Sequence, residues 1–356
     1  MSGPLLEDAV IGGRYVIQRY LGEGGMQFVY VAKDQLTDRL VALKTPKNKS
    51  AQKRFKRSAI VAAKVNHPNV AKTLDYVRVD DQRYLIEELV DGQDLKTALL
   101  KCSAFLDPYL AAKVFHHLAK GVAAAHHAGV VHRDLKPTNI IVVGDYSLTE
   151  LKVTDFGIAR LAGEEQEAVA GSDTSMSASQ TVVGALPYMA PEAIERPREV
   201  GAPADIWSIG AMMYHLLCGC YPFGEGLRAV PQIIAAEPPV VPAFITANPQ
   251  FSPLAKEVMD IALSCLKKDP AERPTADLLV QKCSELCYTS STRQRGIVRD
   301  FRHGAWGFIR TPTGDVFFHK ECVYGSMPSV GDRVLLASYD GGGAPRALPV
   351  MKLNDE

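Results

Sequence analysis

The strongest constraint on this chain is a ten-residue stretch, Val130 to Asn139, which reads VVHRDLKPTN. An Asp-Phe-Gly triplet begins sixteen residues later. Two carboxylates, an amide and a lysine stand in these segments: Asp134, Asp155, Asn139 and Lys136. Carboxylate and amide oxygens are the ligands that Mg²⁺ prefers, and an ammonium group attracts phosphate. The sequence therefore predicts a site at which a divalent cation and a phosphorylated molecule meet.

The two segments, in this order and at this distance, resemble the catalytic loop and the metal-binding turn of protein kinases. The resemblance to the bacterial eukaryotic-like (Hanks-type) Ser/Thr protein kinases covers about residues 10–287. It implies a bilobal α+β fold, with a small lobe over about 14–89 and a large lobe over about 90–287. It also implies transfer of the γ-phosphate of ATP, with Mg²⁺, to hydroxyl groups of protein substrates.

The family pattern assigns a role to each polar residue of this set. Asp134 would orient the attacking hydroxyl, and Lys136 would reach the transferred phosphoryl group. Asn139 and Asp155 would hold the metal ion. Lys44 ends a V-A-L-K sequence that matches the third strand of the family, so it would contact the α- and β-phosphates.

The other nucleotide contacts are expected from a glycine-rich hairpin and from an apolar strand. Glycines allow backbone N–H groups to close over phosphates, although Gln27 replaces the third glycine of the family pattern. The strand YLIEELV would place Ile86 at the back of the adenine pocket, and the backbone after it would bond the adenine edge. The resemblance predicts these ATP-binding residues: Leu21, Gly22, Glu23, Gly24, Gly25, Val29, Ala42, Lys44, Glu87 and Leu89.

Two departures from the family pattern bear on activity. The helix after Lys44 should carry a glutamate that pairs with it, yet residues 39–74 contain no Asp or Glu, and Ser58 stands at the expected position. Relatives have a threonine where this chain has Ala185, so a hydroxyl that would bridge the catalytic aspartate and lysine is missing. Two alternatives therefore stay open. One is an active kinase with low or conditional activity, and the other is a pseudokinase that binds ATP and acts as a regulatory scaffold.

Several large-lobe residues are expected to have architectural or regulatory roles. Asp205 would hold the backbone of the catalytic loop, and Arg273 would form a buried ion pair with Glu192. The segment after Asp155 is rich in hydroxyl residues, namely Ser172, Thr174, Ser175, Ser177, Ser179 and Thr181. Phosphorylation there would let the segment pair with Arg133. A plain low-complexity loop is the other interpretation, and both stay open.

The C-terminal part of the chain has a different pattern. After a polar linker at 288–294, short strands such as AWGFI and DVFFH follow, and residues 295–353 resemble a cold-shock domain, a small all-β barrel of the OB type. Aromatic faces of such barrels stack unpaired bases. The predicted binding residues for single-stranded RNA or DNA are Phe301, Trp306, Phe308, Phe317, His319 and Lys320. Asp300 replaces a tryptophan of the family, and a barrel with a purely structural aromatic core remains the alternative.

Composition excludes a strong global attraction to nucleic acid or to membranes. Acidic and basic residues balance at 40 each. The seven cysteines form no disulfide-scaffold pattern, which indicates a reducing compartment. The most apolar window, Ile206 to Cys220, is too short to span a bilayer, and the N-terminus does not read as a secretory signal. We therefore expect a cytoplasmic protein that has no membrane partner.

Overall fold

A six-stranded antiparallel sheet forms the small lobe in the computed structural model, which describes residues 5–23, 27–47, 55, 59–156, 184–289 and 291–354. The strand order is β1-β2-β3-β4-β6-β5. The strands are β1 Val10–Ile11, β2 Tyr15–Glu23, β3 Gln27–Asp34, β4 Arg39–Pro46, β5 Thr73–Val79 and β6 Gln82–Glu88. Side chains alternate between the two faces of such a sheet, so the two faces can differ in polarity.

One face of this sheet carries the apolar core of the small lobe. Tyr15, Ile17, Tyr30, Leu43 and Ile86 are all at most 1% exposed and belong to the same cluster. The opposite face, which includes Lys44 of β4 and Glu87 of β6, is therefore the one that carries polar side chains toward the predicted nucleotide pocket.

The large lobe is mainly helical in its described part. Its helices are α1 Leu95–Leu100, α2 Pro108–His127, α3 Pro191–Glu195, α4 Ala202–Cys218, α5 Val230–Ala235, α6 Phe244–Ala247, α7 Ser252–Cys265 and α8 Ala276–Ser284. The side chain of Asp107 caps α2 by accepting hydrogen bonds from the N–H groups of Tyr109 and Leu110. Nearly every residue of α4 is buried, so α2 and α4 form the centre of the large-lobe core. No helix in the described ranges is long and apolar enough to cross a membrane.

A three-stranded sheet connects this core to the segments that carry the predicted catalytic and metal-binding residues. Its strands are β7 Gln93–Asp94, β8 Ile140–Val143 and β9 Glu150–Val153, in the order β7-β8-β9. β8 begins directly after Asn139, and β9 ends two residues before Asp155. The hairpin therefore brings the two predicted metal-binding residues to the same end of the sheet.

Two predicted architectural contacts are confirmed. The carboxylate of Asp205 accepts hydrogen bonds from the backbone N–H groups of His132 at 2.8 Å and Arg133 at 2.7 Å. Arg273 binds Glu192 through two hydrogen bonds of 2.6 and 2.9 Å, and the Arg273 side chain is fully buried. These contacts fix the backbone of the catalytic loop and the end of the segment that follows Asp155.

The C-terminal part folds as a closed five-stranded barrel in the order β10-β11-β12-β14-β13. The strands are β10 Arg293–Arg302, β11 Trp306–Thr311, β12 Gly314–His319, β13 Arg333–Tyr339 and β14 Arg346–Lys352. β12 and β14 pair in parallel, and the other neighbours are antiparallel. The barrel has its own apolar core, which includes Val298, Ile309, Phe318 and Leu336.

The barrel packs directly against the large lobe. Tyr324 is 1% exposed, and its ring centroid lies 5.2 Å from Phe251 and 5.9 Å from Phe105 of the large lobe. The buried side chain of Arg293 pairs with Asp107 at 2.9 Å. β10 therefore begins within the segment predicted as a linker, and its first residue is already bound to the large lobe. Shared core packing of this kind fixes the orientation of the barrel.

Candidate functional site

Four side chains meet between the small-lobe sheet and Asp155, which lies two residues after the end of β9. The Nζ atom of Lys44 lies 2.7 Å from Oδ1 of Asp155 and 2.5 Å from Oε2 of Glu87. Nε2 of Gln27 donates a hydrogen bond of 2.8 Å to the same Asp155 oxygen. The Lys44 and Glu87 side chains are 7% and 5% exposed. One buried ammonium group is thus shared by two carboxylates, one of which also binds the glycine-rich hairpin.

Strand register explains why these residues share one face of the sheet. Val29 lies opposite Lys44, and Ala42 lies opposite Glu87. Residues directly opposite in antiparallel strands project from the same face, as do residues two apart in one strand. Ile86 therefore projects into the small-lobe core. The expectation that Ile86 lies at the back of the adenine pocket is wrong by one residue, because the residue on the pocket face is Glu87.

The ionisation of this cluster follows from its burial and its charges. Burial alone would lower the pKa of Lys44, but Asp155 and Glu87 together raise it above the ordinary value. Burial opposes ionisation of Asp155, yet the Lys44 charge and the hydrogen bonds keep its pKa below the usual range. Burial, together with the negative charge of Asp155, raises the pKa of Glu87, although the Lys44 ammonium group opposes that rise. Lys44 is therefore the fixed positive charge of the site.

The catalytic loop forms a second cluster. Nζ of Lys136 lies 2.7 Å from Oδ2 of Asp134. Nδ2 of Asn139 donates to the backbone oxygen of Asp134 at 2.8 Å and to its Oδ2 at 3.2 Å. Ala185 is buried at 8% exposure. The aspartate and the lysine therefore pair directly, without the bridging hydroxyl that the family pattern expects at position 185.

The available oxygens fit a magnesium ion that is bound together with phosphates. The buried Oε1 atom of Gln27 has no hydrogen-bond partner among the described residues, and it lies on the side chain that contacts Asp155. Asn139 uses its amide nitrogen on Asp134, which leaves its amide oxygen for another contact. The described residues contain no group of three His, Cys, Asp or Glu side chains suited to a metal. Mg²⁺ needs only one or two carboxylates when substrate phosphates complete its shell.

The predicted ATP-binding residues are distributed along the same face and its edges. Val29, Ala42, Lys44 and Glu87 share the pocket face, as their register shows. Gly22 and Glu23 end β2, Leu21 is 43% exposed, and Leu89 follows β6. Other predicted positions lie outside the described residues, namely Gly24, Gly25, Ser58 and the hydroxyl residues from Ser172 to Thr181.

Sequence reasoning misses two side-chain contacts of this cluster, that of Glu87 with Lys44 and that of Gln27 with Asp155. The family pattern presents Gln27 only as a missing glycine, and Glu87 only as a backbone contact. A signal for Glu87 is present, because an acidic residue inside the apolar strand YLIEELV has to find a cation once it is buried. Since residues 39–74 contain no Asp or Glu, Lys44 has no acidic partner within that segment and is the cation that Glu87 could be expected to bind.

A second candidate site lies on the barrel. Trp306 and Phe308 of β11 lie opposite His319 and Phe317 of β12, so all four face the same side. The ring centroids of Trp306, Phe308 and Phe317 are 5.8–6.3 Å apart. We call these three rings the aromatic platform; each is half-buried and so retains an accessible part.

An arginine lies over each ring of the aromatic platform. The guanidinium carbons of Arg302 and Arg299 lie 4.9 Å from the Trp306 centroid and 5.0 Å from the Phe308 centroid, and Arg346 lies 5.9 Å from that of Phe317. Asp300 pairs with Arg299 at 3.3 Å and with Arg302 at 3.2 Å. Although burial opposes its ionisation, the hydrogen bonds from these two arginines lower the pKa of Asp300. The acid that replaces the family's tryptophan therefore orients two cations beside the platform.

The remaining predicted barrel residues differ in their placement. Phe301 stacks on the buried Phe318 at 5.4 Å and packs against the barrel core. His319 is half-buried, and its Nδ1 accepts a hydrogen bond from the N–H of Glu321. Lys320 is 49% exposed. The structure thus groups His319 with the platform face and assigns Phe301 to the interior.

Comparison with known proteins gives consistent results for most of the chain. A family model described as "Protein kinase domain" matches residues 15–283. The chain is 34% identical over 270 residues to the serine/threonine-protein kinase PrkC of Bacillus subtilis, a match that covers 74% of this chain and 39% of the relative. It is 32% identical over 293 residues to the probable serine/threonine-protein kinase PknB of Lactococcus lactis, with coverage of 81% and 44%. The chain thus spans about two fifths of the length of these curated relatives.

A solved structure shows the same fold. The crystal structure of a point mutant of the Mycobacterium tuberculosis PknI kinase domain aligns with a TM-score of 0.57 at 22% identity. The alignment covers 80% of this chain and 99% of that one. At this identity the similarity concerns the bilobal architecture alone. The family match ends at residue 283, before the barrel begins.

Proposed function

We propose, because this chain belongs to the protein kinase family, that it transfers the γ-phosphate of ATP to serine or threonine hydroxyls of protein substrates. The observation that carries the proposal is the presence of two charged clusters. Lys44 is bound to Asp155 at 2.7 Å, and Lys136 is bound to Asp134 at 2.7 Å. Phosphoryl transfer depends mainly on positioned charge of this kind.

Each side chain has a separate task in this reaction. Asp134 accepts a hydrogen bond from the substrate hydroxyl and orients it for attack, while Lys136 stabilises the charge on the transferred group. Lys44 holds the α- and β-phosphates. Asp155 and Asn139 would hold Mg²⁺, which would neutralise phosphate charge. The preference for serine and threonine over tyrosine rests on Lys136 and on analogy with the family.

The test is transfer of labelled phosphate from ATP with Mg²⁺ to the protein itself and to a generic basic protein. The Asp134→Asn variant should lose roughly 10²- to 10⁴-fold in rate, the usual contribution of an acid–base group. Asp81→Asn, at an exposed turn, is the matched control and should equal the parent. No transfer by the parent, with nucleotide binding still measurable, would instead support the pseudokinase alternative.

The arginine-capped aromatic platform favours a second function, binding of single-stranded RNA or DNA by an OB-type, cold-shock-like barrel. Flat rings accept stacked bases when the three arginines that lie over them turn aside, and the arginines then face the phosphates of the strand. The closed five-stranded barrel is compatible with this class. The chain would then combine a kinase with a nucleic-acid-binding module.

Fluorescence anisotropy with labelled single-stranded oligonucleotides tests the second function. Phe308→Ala should weaken binding by about 1–3 kcal/mol, the usual value of one base–aromatic stack. Met327→Ala removes an exposed apolar side chain outside the platform and should leave the affinity unchanged. Equal affinities for the parent and Phe308→Ala would exclude the platform as the binding face.

A further inference from the structure

We infer that Glu87 of β6 replaces the helix glutamate as the residue that positions Lys44 for the nucleotide phosphates. The inference rests on the proposed kinase function. It makes Glu87 a positioning residue, because it acts on the nucleotide through Lys44.

The first argument is geometric. Oε2 of Glu87 lies 2.5 Å from Nζ of Lys44, and both side chains are almost completely buried. Glu87 pairs in register with Ala42 of β4 on one side and with Thr73 of β5 on the other. Its backbone is therefore held from both edges of the strand. Neither part of the pair depends on the helix that follows β4.

The second argument concerns that helix. Residues 39–74 contain no carboxylate that could reach the lysine. Where the described part of this segment meets the sheet, Phe55 and Ala59 pack against Leu85, which lies opposite Lys44 in the register. The contact that the structure describes between residues 39–74 after β4 and the strand beside Lys44 is therefore made by apolar side chains.

The third argument is the double use of Asp155. In this structure Asp155 contacts both Lys44 and Gln27 through Oδ1. A carboxylate that also serves as a metal ligand has less charge to give to the lysine. A buried ammonium group without a partner is strongly disfavoured. Glu87 removes this conflict, since it stays beside Lys44 when Asp155 binds metal.

The reactivity of the Lys44 amine measures this pairing without any catalysis. Only the neutral amine reacts with an amine-directed reagent such as acetic anhydride, and the modified fraction is read by mass spectrometry. Loss of an adjacent opposite charge shifts a pKa by about one unit or more. At fixed pH, Glu87→Gln should therefore modify Lys44 about tenfold faster or more. Glu87→Met, an apolar replacement suited to a buried strand position, should do the same and guards against a folding defect of the first variant.

Glu88→Gln is the matched control. Glu88 is the adjacent residue, but its carboxylate binds Lys152 at 2.6 Å. Its variant should modify Lys44 at the rate of the parent. Parent-like modification of Lys44 in both Glu87 variants would overturn the inference.

Kinetics separate this inference from the kinase proposal. With an active parent, Glu87→Gln should lower kcat/KM for ATP by about tenfold or more, which is the usual effect of losing a charged hydrogen bond. An unchanged kcat/KM would overturn the positioning role. A parent that transfers no phosphate refutes the proposed function instead, and the modification rates still decide whether Glu87 holds Lys44.

Discussion

Tyr324 is expected to hold the barrel against the large lobe, and its truncation should separate the two parts. Its ring is 1% exposed and contacts Phe105, Phe244 and Phe251 at centroid distances of 5.2–6.3 Å. An aromatic side chain buries about 150–250 Å², which at about 25 cal/mol per Å² corresponds to about 4–6 kcal/mol. Measured Phe→Ala losses are about 3–5 kcal/mol. We therefore expect Tyr324→Ala to lower the free energy of unfolding by about 3–5 kcal/mol.

The Tyr324 hydroxyl provides the control. It is buried and has no hydrogen-bond partner among the described residues. Removal of an unsatisfied buried polar group costs little or is favourable. Tyr324→Phe should therefore unfold at the parent's denaturant concentration or slightly above it.

The two tryptophans make the assay specific to each part. Trp207 is fully buried in α4, and Trp306 lies on the barrel. Urea unfolding is followed by fluorescence in the parent, in Trp306→Phe, which reports on the large lobe, and in Trp207→Phe, which reports on the barrel. With Tyr324 in place, the large lobe and the barrel should unfold at the same urea concentration in the two single-tryptophan variants. Adding Tyr324→Ala should move the unfolding transition of the barrel to a lower urea concentration. A loss below about 1 kcal/mol, with the transitions still coincident, would refute the reasoning.

Four further predictions concern separate parts of the chain. Glu192→Gln leaves the buried Arg273 without its charged partner, so the free energy of unfolding should fall by about 3–5 kcal/mol, whereas Glu195→Gln at an exposed position should match the parent in the same urea titration. Burial lowers the pKa of His215 to about 4, which is below the value of about 6.5 for an unfolded chain. Between these two pH values the unfolded chain binds more protons than the folded one. The free energy of unfolding should therefore fall as the pH drops from about 6.5 to about 4. His215→Gln should make that fall shallower, and an equally steep fall would contradict the assignment. Arg302→Gln should reduce the slope of log affinity against log salt for single-stranded nucleic acid by about one, as measured by anisotropy at several salt concentrations. Ser58→Glu should not raise the rate of phosphate transfer, because Lys44 already binds two carboxylates; a clear increase would show that Glu87 does not fill the role.

The sequence was most informative where residues close in the chain carry the chemistry. The catalytic loop and the hairpin before Asp155 follow from motif spacing, because their geometry depends on short stretches of backbone. The contact from Asp205 joins residues far apart in the chain and was expected only from the family resemblance. The barrel strands were also predictable, since apolar alternation and turn residues mark them. In such segments local pattern and final structure agree.

Contacts between distant strands were harder to predict. The position of Glu87 depends on which residues of β6 project from the same face of the sheet as Lys44, and a register error of one residue moves every side chain of a strand to the other face. The inward position of Phe301 has the same origin, since β10 has a register shift between Val298 and Asp300. The attachment of the barrel depends on the packing of Tyr324 between Phe105 and Phe251. The local sequence around these residues contains no pattern that predicts this contact.

The carboxylate of Glu87 has a consequence for small-molecule inhibitors. It places a buried ion pair on the pocket face of β6, next to the predicted adenine site. An adenine mimic with an apolar extension toward this position would have to strip the ion pair of its contacts, which is unfavourable. A mimic with an amine at the same position would meet the ammonium group of Lys44, which already holds the carboxylate of Glu87, and would be repelled. Selective inhibitors of this chain should therefore be small at the rear of the molecule and leave the pair of Glu87 and Lys44 intact.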